Sequence, residues 1–182
     1  MAFQVDDFQI AGAPGWADSE SYDIEAATGD GRTVANTRMP ALLETVLMER
    51  FGLVFHRETK EAPIYLLEAA KNGPKLKPAE EGREPSMNTN SHPGRADMKL
   101  TGVSMPEFAS VLKRQVHRNV ADHTGIGGHF DIEFEWDPDQ SGDMPGPSLF
   151  TALQDELGLR LAPAKGPVEM IVIDRIEKAS GN

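Results

Sequence analysis

An internal repeat is the feature that most constrains the fold of this chain. Pro40, Pro106 and Pro147 each lie in the first turn of a helical pattern, at spacings of 66 and 41 residues. Proline is tolerated there because the amide it lacks has no acceptor within the helix. At the same offsets, apolar residues coincide in the helix and in the following strand: Leu42 with Phe108 and Leu149, Val46 with Leu112 and Leu153, and Val54 with Val120 and Leu161. Self-similarity of this kind indicates one recurring structural unit.

The recurring unit is predicted to be one amphipathic helix followed by a β-hairpin. In the best-defined copy, Ser104 and Glu107 form a capping-box pattern at the helix start. Its apolar stripe follows helical spacing, with Phe108, Val111, Leu112 and Val116. The second strands show period-2 alternation, with Ile64 and Leu66, Phe130 and Ile132, and Ile171 and Ile173 in register. Helices that alternate with hairpins predict an α+β fold with antiparallel sheet.

The repeats divide the chain into three stretches, which we expect to form one compact domain. Residues 1–71 hold the tail of a first repeat and a complete second repeat, and residues 100–182 hold a third and a fourth. Residues 72–99, rich in Pro, Gly, Asn and charge, are predicted to be a mobile loop. The first repeat's hairpin is expected near residues 8–10 and 22–26, with its helix before Met1. Such a truncated repeat would leave an unpaired sheet edge, so we expect a homodimer through it.

Composition excludes several classes of function. The formal net charge of -11 argues against nucleic acid as a partner, because a phosphate-binding face needs clustered Lys and Arg. The sequence has no run of about 18 apolar residues, so no membrane span is expected and the chain as given should be soluble. With zero cysteines, disulfides, thiolate metal sites and a cysteine nucleophile are excluded.

Several phrases together resemble a known family: DFQIAGAPGWADSESYDIEA, GVSMPEFASVLKRQVHRNVADHTGIGGHFDIEFEW and PSLFTALQDELGLRLAPAKGPVEMIVIDRIEKAS. They are similar to an uncharacterised family of exported proteins expanded in soil Acidobacteria. Its domain of unknown function also occurs fused to membrane metallopeptidases of the beta-lactam-sensor type. The resemblance covers nearly the whole chain and implies an exported or periplasmic protein when full length. It supplies no catalytic residues.

This chain departs from the family pattern in two ways. The usual leader and an FEVASVKP-like strand and helix are missing, in agreement with a truncated first repeat. His117, His123 and His129 stand where the resemblance implies Gly, Lys or Gln, and Arg or Lys, respectively. The repeat unit also loosely resembles the short helix-and-strand domains of secretins and TonB-dependent receptors, which suggests an envelope binding module.

The stretch HFDIEFEW, residues 129–136, carries the strongest candidate site. A hairpin from Arg118 to Trp136 would place His123 opposite His129, with Cβ atoms about 5 Å apart, and Asp131 two residues further on. Two histidines and one carboxylate could hold zinc or a similar divalent metal and leave a position open for water, with Glu133 as the base. The alternative is that these residues form the solvated face of a sheet.

Two functions follow from these patterns. The leading hypothesis is a non-enzymatic binding or scaffold module of the bacterial cell envelope. Its rival is a metal-dependent hydrolase of small esters or phosphoesters that uses the metal ligands His123, His129 and Asp131. The segment Asp137–Asp143 has carboxylates at the first and third positions of a calcium loop but no Glu at the twelfth, so a polar linker is favoured.

Overall fold

The computed structural model describes residues 3, 5–24, 38–80, 82, 84–140 and 146–179. Within them lie three α-helices: α1 (Met39–Arg50), α2 (Met105–Val116) and α3 (Leu149–Leu157). The eight strands are β1 (Ile10–Ala11), β2 (Val54–Ala69), β3 (Lys77–Pro78), β4 (Ser86–His92), β5 (Arg95–Val103), β6 (Val120–Asp122), β7 (Phe130–Trp136) and β8 (Leu159–Arg175). The predicted α+β class is confirmed. None of the described helices is long and apolar enough to cross a membrane.

The chain divides into two compact units. Unit 1 combines Met1–Ala62 with Pro167–Asn182, and unit 2 is the continuous stretch Pro63–Gly166. Strands β2 and β8 contribute residues to both units, and they are neighbours in a sheet with the order β1-β8-β2-β6. A second sheet, with the order β3-β7-β5-β4, lies wholly in unit 2.

The core of unit 2 lies between the second sheet and helices α2 and α3. In β7, period-2 alternation buries Ile132, Phe134 and Trp136 to 5% exposure or less, as the sequence predicted for this face. Phe134 stacks on Trp136 and meets the edge of Phe108 from α2, with ring centroids 5.4 and 6.2 Å apart. Strand β5 adds Met98, which is fully buried. These contacts hold one face of the sheet against the helices.

Local sequence signals set the start of each helix in unit 2. In α2 the Glu107 carboxylate accepts hydrogen bonds from the Ser104 amide and hydroxyl, at 2.8 and 2.7 Å, so the predicted capping box is confirmed. Ser148 caps α3 by accepting from the Thr151 amide at 3.2 Å. The predicted first-turn prolines at 40 and 106 lie in α1 and α2, whereas Pro147 precedes the Ser148 cap of α3, so the prediction is wrong for that helix.

All three helices are followed by a residue in the left-handed region. Gly52 follows α1 with φ +56°, and Gly158 follows α3 with φ +63°. At the corresponding point of α2 stands His117, with φ +46°, the one positive-φ residue other than glycine in the described chain. Glycine adopts this conformation without steric cost, whereas a Cβ atom opposes it. The resemblance to the family also implies glycine at position 117.

Unit 1 is built on α1, β1 and parts of β2 and β8. β1 runs parallel to β8, with Ile10 opposite Ile171. Gly12 makes this approach close, since a Cβ there would lie 2.5 Å from the Ile173 carbonyl oxygen. An aromatic cluster joins Trp16, Tyr22 and Phe51, the last two with ring centroids 5.0 Å apart.

The predicted hairpins differ from the observed strands. α1 and α3 are each followed by one long strand, of 16 and 17 residues, and not by a hairpin. These two strands pair with each other. In unit 2 Arg160 binds Glu68 at 2.6 Å, and in unit 1 His56 binds Asp174 at 3.0 Å, as expected for antiparallel neighbours. The ETKEA segment of β2 lacks turn residues, which explains why this strand continues where a hairpin was predicted.

Two further predictions are corrected. Residues 86–99, expected to belong to a mobile loop, form β4 and most of β5. A turn with Pro93 and Gly94 at its centre joins them, and Gly94 has φ +72°, as a type II turn requires. In the predicted first repeat, residues 22–24 form no strand, and residues 25–26 lie outside the described residues.

Candidate functional site

The polar face of HFDIEFEW belongs to an exposed, charged sheet surface in unit 2. Asp131, Glu133 and Glu135 alternate with the buried apolar residues of β7, so they lie on the face of the second sheet turned away from the helices. The register places Glu133 opposite Lys99 and Glu135 opposite Asp97 of β5. We call this surface the charged face.

Ion pairs and hydrogen bonds across strands organise the charged face. Lys99 Nζ lies 3.0 Å from Glu133 Oε2, and Arg95 pairs with Glu135. Asn90 of β4 donates to Asp97 Oδ2 at 2.9 Å. More than half of each Lys99, Glu133, Arg95 and Glu135 side chain is exposed, so these pairs contribute little stability. The alternative stated from the sequence, that these residues form the solvated face of a sheet, describes this surface.

Asp131 has a structural role at an irregularity in β5. The register between β5 and β7 shifts between Leu100 and Val103. Asp131 Oδ1 accepts a hydrogen bond from the Gly102 amide at 3.1 Å, which satisfies a donor that the shifted ladder leaves available. The carboxylate therefore stabilises the bulge between these strands.

The structure does not bring the predicted metal ligands together. β6 pairs in parallel with β2 of the first sheet, whereas β7 pairs with β3 and β5 of the second, so the predicted hairpin register is wrong. The His123 amide donates to the Leu67 carbonyl, and the His129 carbonyl accepts from the Ala79 amide. Across the described residues, no three His, Cys, Asp or Glu side chains form a group that could hold a metal ion.

His129 instead lies near the start of α2. The pKa of Glu107 is lowered, chiefly by the hydrogen bond from the Ser104 hydroxyl, then by the Ser104 amide, with a smaller contribution from the charge of His129. Glu133, predicted as the base, is the ion-pair partner of Lys99.

A cleft opens beside Asp131 and Glu133 on unit 2. Its volume is about 490 Å³. It is lined by three lysines, three carboxylates, one threonine and three leucine or isoleucine residues: Lys75, Lys77, Lys99, Asp131, Glu133, Glu156, Thr101, Leu100, Ile132 and Leu157. Charges of both signs therefore meet around one space of a size typical for small-molecule sites. We call it the lysine cleft.

The lysines of this cleft differ in their hydrogen-bond and ion-pair partners. Lys75 Nζ donates to the Asp155 carbonyl at 2.6 Å, near the end of α3. Lys99 is paired with Glu133. Lys77 lies opposite Asp131 in the ladder between β3 and β7. Neither the Lys77 ammonium nor the Glu156 carboxylate has a hydrogen-bond or ion-pair partner among the described residues. These two groups are available to a ligand.

The lysine cleft was not predicted from the sequence because its three lysines lie in the stretch that was predicted to be a mobile loop. Lys75, Lys77 and Lys99 all lie in residues 72–99. The signal was present in RADMKLTGV, where Ala96, Met98 and Leu100 alternate with polar residues in the pattern of a half-buried strand. Lys99 follows from that alternation as a residue of the polar face.

Several other polar and aromatic residues have structural roles. Trp136 is buried in the core of unit 2. Asp137 is also buried, and its two carboxylate oxygens accept from the Asp139 and Gly146 amides, each at 2.9 Å. That arrangement agrees with a linker turn, although residues 141–145 of the suggested calcium loop lie outside the described residues. In unit 1, Lys178 lies over the Trp16 ring, 5.8 Å from its centroid.

Comparison with known proteins identifies a family but assigns no activity to it. No curated protein and no solved structure matches the chain. A family model described as "Protein of unknown function (DUF3738)" matches residues 1–176, nearly the full length of 182 residues. On this match the chain belongs to the DUF3738 family.

Proposed function

We propose that this protein is a non-enzymatic binding module whose ligand site is the lysine cleft. The carrying observation is that three ammonium groups and three carboxylates line one space of about 490 Å³. Lys77 and Glu156, which have no described partner, provide one charge of each sign. The ligand class that matches is a small zwitterion, such as an amino acid or a short peptide, with both a carboxylate and an ammonium group.

The expected affinity follows from the two charged contacts. A hydrogen bond to a charged group contributes about 1.5–3 kcal/mol net. Two such bonds, to Lys77 and Glu156, give a dissociation constant in the millimolar range. A ligand that carries charge of only one sign would meet repulsion from half of the lining groups.

The hydrolase alternative has no observation in its favour. Its metal site required His123, His129 and Asp131 on one hairpin, and these residues belong to segments that pair in different sheets. Its base, Glu133, is paired with Lys99. The binding proposal requires none of that geometry.

The cellular setting is part of the same proposal. The resemblance to exported proteins of soil Acidobacteria supports a location in the cell envelope or periplasm, where a binding or scaffold module would meet free amino acids and peptides. A homodimer through the first-repeat edge stays a prediction.

Ligand titrations followed by calorimetry and thermal unfolding test the proposal. The panel contains amino acids and dipeptides, with succinate as a dianion, putrescine as a dication and glucose as a neutral control. We expect binding only from zwitterions, with a gain of about 2.7 kcal/mol in unfolding free energy at a hundredfold excess over the dissociation constant. If no zwitterion binds, or if succinate or putrescine binds equally well, the proposal fails.

Variants locate the site. Lys77→Ala and Glu156→Gln should each weaken binding by about tenfold or more, since each removes a contact that contributes about 1.5–3 kcal/mol. Lys165→Ala is the matched control, because Lys165 is an exposed lysine of unit 2 that does not line the cleft. Equal affinity for all three variants would place the ligand elsewhere.

A further inference from the structure

Among the strands that the structure describes, β4 is an open edge of the second sheet. It is last in the order β3-β7-β5-β4, and it pairs with β5 along seven consecutive residues without a bulge. All seven of its residues are exposed. In an antiparallel ladder every second residue of an edge strand directs its N–H and C=O groups outward, where a further strand can bind them.

The sequence of this edge strand lacks the residues that usually prevent pairing. Natural edge strands are protected by charged side chains, proline, bulges or a covering segment. The sequence of β4, SMNTNSH, contains no Lys, Arg, Asp, Glu or Pro. Pro85 and Pro93 stand outside its two ends. We propose that β4 is an interaction surface for a second copy of this chain, which pairs antiparallel with the same strand about a twofold axis at Thr89.

The register follows from the length and pleat of the strand. Pairing Ser86 with His92 of the second copy uses every residue of both strands and places Thr89 opposite its own equivalent. In this register, paired residues have their side chains on the same face of the sheet, so the two sheets would form one continuous sheet. Asn88 then faces Asn90, and both amide side chains can donate and accept. Each copy contributes the same surface, as a twofold interface requires.

Charge at the two ends of the strand favours the same partner. Glu84, exposed, precedes β4, whereas His92 ends it and Arg95 lies directly opposite His92 in β5. Antiparallel self-pairing brings the start of one strand to the end of the other. Glu84 of each copy therefore lies near the Arg95 end of its partner, where Arg95 also pairs with Glu135 of its own copy, so opposite charges approach at both ends of the interface.

Sedimentation velocity over low micromolar to near-millimolar protein measures the association. The wild-type chain should form a dimer within this range. Thr89→Lys and Thr89→Glu should each weaken it by about fivefold or more, because identical charges face each other at the axis. An equimolar mixture of these two variants should associate at least as well as the wild type, since opposite charges then face each other. Ser110→Lys, on the exposed side of α2, is the control for added charge and should not alter association.

A second substitution tests the charge pattern. Glu84→Lys lowers the net negative charge, so a general repulsion between copies would decrease and association would strengthen. If Glu84 pairs with the opposite end of the partner strand, association weakens instead. A wild-type chain that stays monomeric over the whole range overturns the proposal, and the edge would then be left to a strand from another protein. A dimer that is unaffected by charge at Thr89 overturns it as well. Neither result depends on ligand binding in the lysine cleft.

Discussion

Replacement of His117 by glycine should stabilise unit 2. His117 ends α2 with φ +46°, a conformation that costs a residue with a Cβ atom about 1–2 kcal/mol. Its imidazole is exposed and forms no hydrogen bond or ion pair with the described residues, so its removal sacrifices little. Glycine increases the entropy of the unfolded chain, which offsets about 0.5–1 kcal/mol of the gain.

The net expectation for His117→Gly is a gain of about 0.5–1 kcal/mol in unfolding free energy. For a chain of this size, that corresponds to a rise in melting temperature of about 1–4 °C. His117→Ala is the matched control, because it removes the imidazole and keeps the strained Cβ. Thermal and urea unfolding of the three proteins measure the difference. A His117→Gly variant no more stable than His117→Ala would refute the argument from backbone conformation.

Replacement of the glycines that follow the other two helices by alanine should have the opposite effect and lower stability. Gly52→Ala should cost about 1 kcal/mol, since a Cβ there meets only the Glu177 side chain at 4.0 Å. Gly158→Ala should cost more, since its Cβ would lie 2.0 Å from the Gly73 carbonyl oxygen and the backbone must move. A smaller loss for Gly158→Ala than for Gly52→Ala would contradict the close approach at Gly73.

Three further predictions concern individual contacts in unit 2. Glu107→Gln should lower the unfolding free energy by about 1 kcal/mol at pH 7. Because the folded-state pKa of Glu107 is lowered, the difference from wild type should be present above pH 4.5, its ordinary pKa, and disappear as the pH falls through the folded pKa. Met98→Ala should cost about 2–5 kcal/mol, whereas Met87→Ala, at a position 53% exposed in β4, should change stability little in the same urea titrations. Asp137→Ala should cost about 1–3 kcal/mol, because it leaves two backbone amides without their acceptor.

The helices could be predicted from the sequence because their signals are local. The capping box of Ser104 and Glu107 and the stripe that begins at Phe108 lie within four turns of one helix. The burial of Ile132 and Phe134 also follows from short-range alternation. Each of these features depends on residues that are close in sequence, so no knowledge of the rest of the fold is needed.

Strand partners could not be predicted in the same way. Alternation fixes which face of a strand is buried but not which strand lies beside it. His123 and His129 are close in sequence and were predicted to face each other in one hairpin, yet β6 and β7 pair in different sheets. The partner of β7 is β5, in a segment whose polar composition suggested a loop. The sequence of β4 does not alternate between apolar and polar residues, because all of its residues are exposed.

The unequal spacing of the repeats indicates where the two proposed interaction surfaces lie in this chain. The first two helix prolines are 66 residues apart and the last two only 41, and the additional residues contain the β4–β5 hairpin. That insertion supplies the partner of β7 and three lysines of the cleft, and it also provides the open edge at β4. Helices α2 and α3 occupy the buried side of the second sheet, where substitutions are constrained by packing. Both proposed interactions therefore use exposed residues added to the repeat, Lys77 in the cleft and β4 at the sheet edge, whereas Glu156 is contributed by the repeated helix α3.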